Sequence, residues 1–304
     1  MTKIDQIETV VVDVPTIRGH VLSMATMRSQ TAVLVRIRFS DGSTGIGEGT
    51  TIGGLTYCVE SPESIQSAIA TYIAPALKGK GADDVNTSIQ LMDKLVRGNR
   101  IAKAAVEIAL WDGLGKRLGV PVSQLFARMP VAWTLASGSS DTDIAEALEM
   151  IETRRHNIFK LKIGKRSVRD DVAHVAAIKR AVGDAGSVRV DINQAWSLHD
   201  ARWGLKGLQD AGCELVEQPV QGRYVEAQRE LTAKYEIAVM ADEVLNGPED
   251  ALEIAANAAA DVFAVKVAQS GGIKRASEVV AIGQAAGLGL YAGTMLETGL
   301  GTAA

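Results

Sequence analysis

Apolar and polar side chains alternate along residues 4–14 and again along 32–39, with β-branched residues dominating both runs. That period-two pattern is the one a half-buried strand requires. The second run gives way to Ser40-Asp41-Gly42-Ser43, which is turn chemistry, before Gly45-Ile46-Gly47-Glu48. A small antiparallel sheet is expected. Ser61-Pro62-Glu63 then carries the signals of a capped helix start. Apolar residues recur at helical spacing through Leu91, Leu95, Ala104, Ile108 and Leu110 as far as Gly119-Val120-Pro121. Residues 1–128 are therefore expected to form an α+β unit that caps a second domain spanning 129–304.

After Met129-Pro130 the texture becomes a repeat of short apolar runs, each followed by an amphipathic helical stretch, at intervals of about 25 residues. The runs are 131–138, 159–164, 188–193, 215–220, 238–244, 262–268 and 289–295. Strands alternating with helices imply parallel strands joined by crossovers. Seven such units predict a TIM-type (β/α)8 barrel, with seven of its strands visible in this chain. The competing doubly wound sheet would need a glycine-rich phosphate turn after its first strand, and Ala136-Ser137-Gly138-Ser139-Ser140 is not a G-x-G-x-x-G motif.

Composition narrows the function classes. The formal charge of -4 and pI near 5.7 arise from interspersed acids and bases without a Lys/Arg stripe, so nucleic acid is not an expected partner. The N-terminus lacks a signal-peptide pattern and no apolar run reaches membrane-spanning length, which predicts a cytoplasmic protein without a membrane partner. Cys58 and Cys213 lie far apart with no other metal-binding side chains at ligand spacing, and read as reduced packing residues.

Barrel enzymes carry their chemistry at the C-terminal ends of the strands, so polar residues interrupting apolar strand ends are the ones to collect. They are Lys160 and Lys162, Asp191 and Asn193, Glu217, Asp242 and Glu243, and Lys266. Asp191, Glu217 and Asp242 are 26 and 25 residues apart, one barrel unit each time. Three carboxylates on neighbouring strands repel one another in a partly dry pocket, and a divalent cation relieves that repulsion. All-oxygen ligands favour Mg2+ or Mn2+ over zinc. Lys160 and Lys162 are two apart on one strand, so they share a face, and mutual repulsion together with burial is expected to lower a lysine pKa toward acid/base use. Second and sixth strands oppose each other in an eight-stranded barrel. Lys162 and Lys266 are thus expected to face one another across the pocket, with the metal on the arc between them.

Taken together, Lys160-x-Lys162, Asp191-x-Asn193, Glu217-Gln218-Pro219, Asp242-Glu243 and Lys266 resemble the muconate lactonizing branch of the enolase superfamily. The stretches Pro15-Thr16-Ile17-Arg18, Glu48-Gly49-Thr50-Thr51-Ile52-Gly53-Gly54 and Glu60-Ser61-Pro62-Glu63 resemble the cap loops of that branch, as 131–138 and 293–301 resemble its barrel. The resemblance implies that Asp191, Glu217 and Asp242 bind Mn2+ or Mg2+, that Lys162 transfers the proton, and that Lys160 tunes Lys162 and helps hold a substrate carboxylate. Lys266 completes the catalytic set, and Ile52, Asn193 and Glu297 are expected to line the substrate site. It further implies a small dicarboxylate substrate, cis,cis-muconate, closed reversibly to muconolactone through an enolate in catechol breakdown, and a homo-oligomer, an octamer by family habit.

Two departures from the family pattern stand out. The family's eighth strand and C-terminal segment, with a further catalytic acid, have no counterpart before Ala304, so the expressed protein is expected to exceed 32.1 kDa. Residues 125–130 are also shorter than the family's linker. Chloromuconate cycloisomerases, dipeptide epimerases and o-succinylbenzoate synthases share the same lysines and acids, and a non-catalytic relative is the reading from another class.

Overall fold

A computed structural model describes residues 2–22, 26–122 and 131–302. The expected boundary at 128/129 and the short linker at 125–130 lie outside the described residues.

The N-terminal part is a three-stranded antiparallel sheet, β1 (Ile4–Val21), β2 (Thr26–Phe39) and β3 (Thr44–Thr50), packed against helices. β1 and β2 run further than the alternation predicts because they continue as a hairpin arm beyond a register shift between Pro15 and His20, where outward apolar residues such as Ile17 leave no core-facing pattern. Ser61 caps the helix Pro62–Ala68 as its sequence suggests, its hydroxyl and that of Ser64 satisfying each other's backbone N–H. The continuous helical pattern beyond it breaks into Val85–Leu95 and Arg100–Leu118, because Asn99 adopts a left-handed conformation. Gly45 and Gly47 explain how the last of these helices seats on β3. A Cβ on either would stand 1.9 or 2.0 Å from the carbonyl oxygen of Ala109 or Ala105. Glycines two apart on a strand thus meet alanines four apart on a helix, bringing the backbones into contact.

The C-terminal part is a seven-stranded parallel sheet in chain order: β4 (Trp133–Leu135), β5 (Ile158–Lys162), β6 (Ser187–Asp191), β7 (Leu215–Glu217), β8 (Ala238–Ala241), β9 (Val262–Val265) and β10 (Gly289–Ala292). Sequential order, helical crossovers and a curled sheet are those of the TIM-type barrel. Alternation sorts the side chains: Phe159, Leu161, Val188, Val190 and Ile192 pack outward against Val175, Ile178 and Leu205 of the helices. Lys160, Lys162, Arg189 and Asp191 therefore point inward. The strands stop two to three residues earlier than the apolar runs suggest, which puts Asn193, Asp242, Glu243 and Lys266 on the loops just beyond the last strand residues. No helix among the described residues is long and apolar enough to cross a membrane.

Buried carboxylates join the two parts. Glu48 of β3 accepts from the backbone N–H groups of Thr298 and Gly301 at 2.8 and 2.9 Å. Glu107, on the helix Arg100–Leu118, accepts from the N–H of Lys274 at 2.8 Å at the start of the barrel helix Ile273–Ala285 and from the indole of Trp111 at 3.1 Å. Gly272 is required there, since a Cβ would lie 1.7 Å from Glu107 Oε2.

Burial, opposed by those two hydrogen bonds, pushes Glu107 up to about 7 from an ordinary 4.5. The folded chain keeps a proton that the unfolded chain has released, so this stabilisation is complete below about pH 4.5 and is lost as pH rises through about 7, on the order of 3 kcal/mol. Glu107→Gln keeps the acceptor and removes the titration. Denaturant unfolding of both proteins between about pH 5 and about pH 8 should show a steeper loss of stability for the wild type, whereas parallel curves would contradict the assignment.

Candidate metal and proton-transfer site

The strand register shows how residues at different positions come together. Lys162 pairs with Asp191 and Asp191 with Glu217, all level along their strands. Glu217 pairs with Met240, so Asp242 lies two residues further on. Ala241 pairs with Phe263, which puts Lys266 two residues beyond the level of Asp242. Barrel strands tilt, and a ring of groups at one height must climb along successive strands by about one residue per strand on average. These offsets do so.

Asp191, Glu217 and Asp242 are all buried, and each offers a carboxylate oxygen within 4.8 Å of the others. Lysines flank them. Lys162 Nζ donates to Asp191 Oδ2 at 2.6 Å and to Asn193 Oδ1 at 3.3 Å. Lys160 Nζ stands 2.5 Å from Glu217 Oε2 and 3.3 Å from Asp191 Oδ2. At the other end Lys266 Nζ donates to Asp242 Oδ2 at 2.7 Å. The structure thus gathers the three acids, Lys160, Lys162, Lys266 and Asn193 into one pocket.

Burial works against the charge on Asp191, but Lys162 and Lys160 outweigh it and hold the carboxyl below the ordinary carboxylate range. Burial and the charge on Asp191 push Glu217 up to about 8. Neither Glu217 oxygen, nor Asp242 Oδ1, receives an oriented hydrogen bond from the described residues, although lysine nitrogens lie close by. A buried carboxylate that resists ionisation and lacks oriented donors is suited to a cation. The expected lowering is corrected for Lys160. Burial does pull Lys160 and Lys266 down, but the carboxylates opposite them, Glu217 and Asp242 foremost, raise both above the ordinary lysine value. The facing acids dominate over the neighbouring lysine.

The remaining predicted residues are spread around this centre. Ile52 is buried in a cluster of the N-terminal part that also contains Ala268 and Met295 of the barrel loops. Glu297 accepts from the Met295 N–H at 2.7 Å, and burial raises its pKa, moderated by Lys266 nearby. Tyr57 escaped the sequence reading. Its hydroxyl donates to Asp242 Oδ2 at 2.9 Å and accepts from Lys266 at 2.5 Å. It lies on a short turn after Gly53-Gly54 with no periodic pattern, so only the docking of the two parts reveals it. Cys58 and Cys213 are free thiols, as expected.

The comparisons with known proteins meet this geometry. Residues 6–127 match the model of the mandelate racemase / muconate lactonizing enzyme N-terminal domain, and residues 143–304 match the enolase C-terminal domain-like model. The chain belongs to the mandelate racemase / muconate lactonizing enzyme family. Muconate cycloisomerase 1-1 of Acinetobacter lwoffii is 54% identical over 99% of this chain and 80% of its own length. A chloromuconate cycloisomerase of a Pseudomonas species is 45% identical over 99% and 83%. The crystal structure of the Pseudomonas fluorescens muconate lactonizing enzyme complexed with muconolactone superposes with a TM-score of 0.97 at 49% identity, covering 99% of this chain and 82% of that one. Enzymes of this superfamily depend on a divalent metal, and Asp191, Glu217 and Asp242 are the carboxylate cluster among the described residues able to hold one.

Titration calorimetry of the demetallated protein with Mn2+ checks the cluster. Asp191→Asn, Glu217→Gln and Asp242→Asn should each weaken Mn2+ binding by roughly tenfold or more, in line with the loss of a charged ligand. Unchanged affinity in all three variants would place the cation elsewhere.

Proposed function

We propose that this chain is a muconate cycloisomerase, an isomerase that closes cis,cis-muconate to muconolactone in the degradation of aromatic compounds through catechol. The observation that carries the reading is the carboxylate cluster bracketed by partly buried Lys160 and Lys162 on one side and buried Lys266 on the other.

In this reading Asp191, Glu217 and Asp242 hold Mn2+ or Mg2+, an oxygen-only set that suits either ion. The bound cation supplies positive charge beside the substrate carboxylate where negative charge collects. The distal carboxylate forms a C–O bond to the conjugated double bond, and the displaced electron pair moves toward the other carboxylate as an enolate. Lys162 then gives its proton to the carbon and takes it back in the reverse direction. Its ammonium is held in place by Asp191 and Asn193. Lys160 supplies a second positive charge toward the carboxylate, and Lys266, tied to Asp242 and Tyr57, balances charge on the opposite face. Ile52, Asn193 and Glu297 line the substrate site. Residues 1–128 act as the cap and 129–304 as the barrel, in a cytoplasmic homo-oligomer, an octamer, assignments that rest on the family resemblance. Chloromuconate is the second substrate to test, disfavoured by the lower identity to enzymes that act on it.

Loss of the conjugated-diene absorbance of cis,cis-muconate, with Mn2+ and with chelator, tests the activity. Turnover should require the metal and exceed that on chloromuconates. Full activity after thorough demetallation would refute the metal role. Lys162→Ala should lower kcat by roughly 10³-fold or more, and Lys266→Ala by less. Lactonization in D2O, read by the face that carries deuterium, makes the choice between the lysines. Near-normal turnover by Lys162→Ala with an inactive Lys266→Ala would move the proton donor to the opposite face.

A further inference from the structure

Lys266 leaves β9 on a tight turn that is gripped from both sides. It caps the short helix Val267–Ser270, its carbonyl oxygen accepting from the Ser270 N–H at 2.9 Å, and the Gly272 N–H returns to the carbonyl of Val267 at 2.9 Å. Gly271 and Gly272 close the turn with φ of 94° and 125°. On the barrel side Gln269 donates to the carbonyls of Asp242 and Leu245. On the other side lies the cap helix Arg100–Leu118. Ala268 belongs to the apolar cluster of the cap, a Cβ on Gly271 would meet Arg100 Cβ at 3.5 Å, and Gly272 abuts Glu107.

The barrel helix Ile273–Ala285 begins at Gly272, which has no side chain to cap it. The Glu107 carboxylate supplies the missing acceptor by taking the Lys274 N–H, and Trp111, one turn along the cap helix, orients it. Its Oε2 is buried without a hydrogen-bond partner among the described residues and faces Gly272. Such an oxygen is costly to bury, and its contact is with the end of the Lys266 turn.

The Lys266 side chain has little room to compensate for a shift of its backbone. Its methylenes pass over Gly293, where a Cβ would stand 2.8 Å from Cγ, and its ammonium is fixed between Asp242 Oδ2 at 2.7 Å and the Tyr57 hydroxyl at 2.5 Å. Movement of the turn is therefore felt at Asp242.

We propose that Glu107 is a positioning residue for Lys266, seating its turn through Gly272 so that the docking of the cap helix sets the charge balance at Asp242. The part that concerns turnover rests on the cycloisomerase reading, and the part that concerns the cation rests on the carboxylate cluster alone.

The test is a pair of double-mutant cycles on the full chain. With Mn2+ loaded and cis,cis-muconate as substrate, Glu107→Ala should lower kcat by roughly tenfold with KM within about threefold. Glu107→Gln, which keeps an acceptor for Lys274, should recover most of the loss. Combined with Lys266→Ala, Glu107→Ala should add less than about threefold, because the residue it positions is gone, whereas combined with Lys162→Ala it should multiply in full. Calorimetric binding of Mn2+ to the demetallated protein gives a reading that does not depend on turnover. Lys266→Ala should tighten it, since the ammonium competes with the cation for Asp242. Glu107→Ala should shift it the same way by about threefold, with no further shift when Lys266 is already alanine. Trp111→Phe removes only the indole donor, and should give the same non-additive pattern at smaller amplitude even where Glu107→Ala fails to fold. Losses that multiply equally with both lysine variants, or an unchanged kcat and Mn2+ affinity in Glu107→Ala, would overturn the positioning role and leave the cycloisomerase reading standing. A wild type that shows the Mn2+ cycle and converts no muconate would overturn the cycloisomerase reading and leave the positioning role standing.

Discussion

Like charges held close together in a dry pocket are the constraint around which this molecule is arranged. Asp191, Glu217 and Asp242 present oxygens within 4.8 Å of one another. At an effective dielectric of about 20, each fully charged pair at that separation repels by roughly 3 kcal/mol, so three pairs would approach the whole stability of an ordinary domain. The chain answers with partly buried Lys160 and Lys162 and buried Lys266 around the cluster. The lysines do not keep Glu217 at its ordinary value, since burial first and the charge on Asp191 second push it up to about 8. What the site keeps for a cation is the unsatisfied oxygens of Glu217 and Asp242, and a bound cation would favour release of the Glu217 proton.

Positioning such a cluster demands loops that do not drift. Asn193, Gln194 and Gln218 adopt left-handed backbone conformations directly after their strands, which turn the chain sharply at the pocket rim. Two buried glutamines then fasten the loop that carries Asp242 from both sides. Gln218 Oε1 accepts from the N–H groups of Asp242 and Val244 at 2.9 and 3.3 Å, while Gln269 Nε2 donates to the carbonyls of Asp242 and Leu245 at 2.7 and 2.9 Å. Neither glutamine is charged, so the metal-side loops are rigidified without adding to the electrostatic load.

The barrel and its carboxylates were legible in the sequence because both repeat. Strand units recur about every 25 residues, and within each strand alternation sends Lys160, Lys162 and Asp191 inward while Phe159, Leu161 and Val190 face the helices. Two things were not legible. Strand ends ran too long on paper, since apolar side chains continue past the last ladder bond at β7, β8 and β9, where buried loops need them as much as strands do. The direction of the Lys160 shift is the other, because Lys160 shows its neighbour Lys162 in the sequence and hides Glu217, which lies two strands away in space and 57 residues along the chain. Tyr57, Glu48 and Glu107 share a different difficulty. Each acts across the junction between cap and barrel, and no local period encodes a contact whose partner is 185 or 250 residues distant.

That junction divides the labour of the site. Every candidate metal ligand comes from the barrel, and so do the three lysines. The cap contributes Tyr57, which touches Asp242 and Lys266. Tyr57 ties its turn directly into the charge balance of the carboxylates, whereas Arg18 fastens the hairpin arm to Thr134 and Glu146 at the edge of the barrel. The three acids and the three lysines stay at strand ends whose register leaves them little freedom.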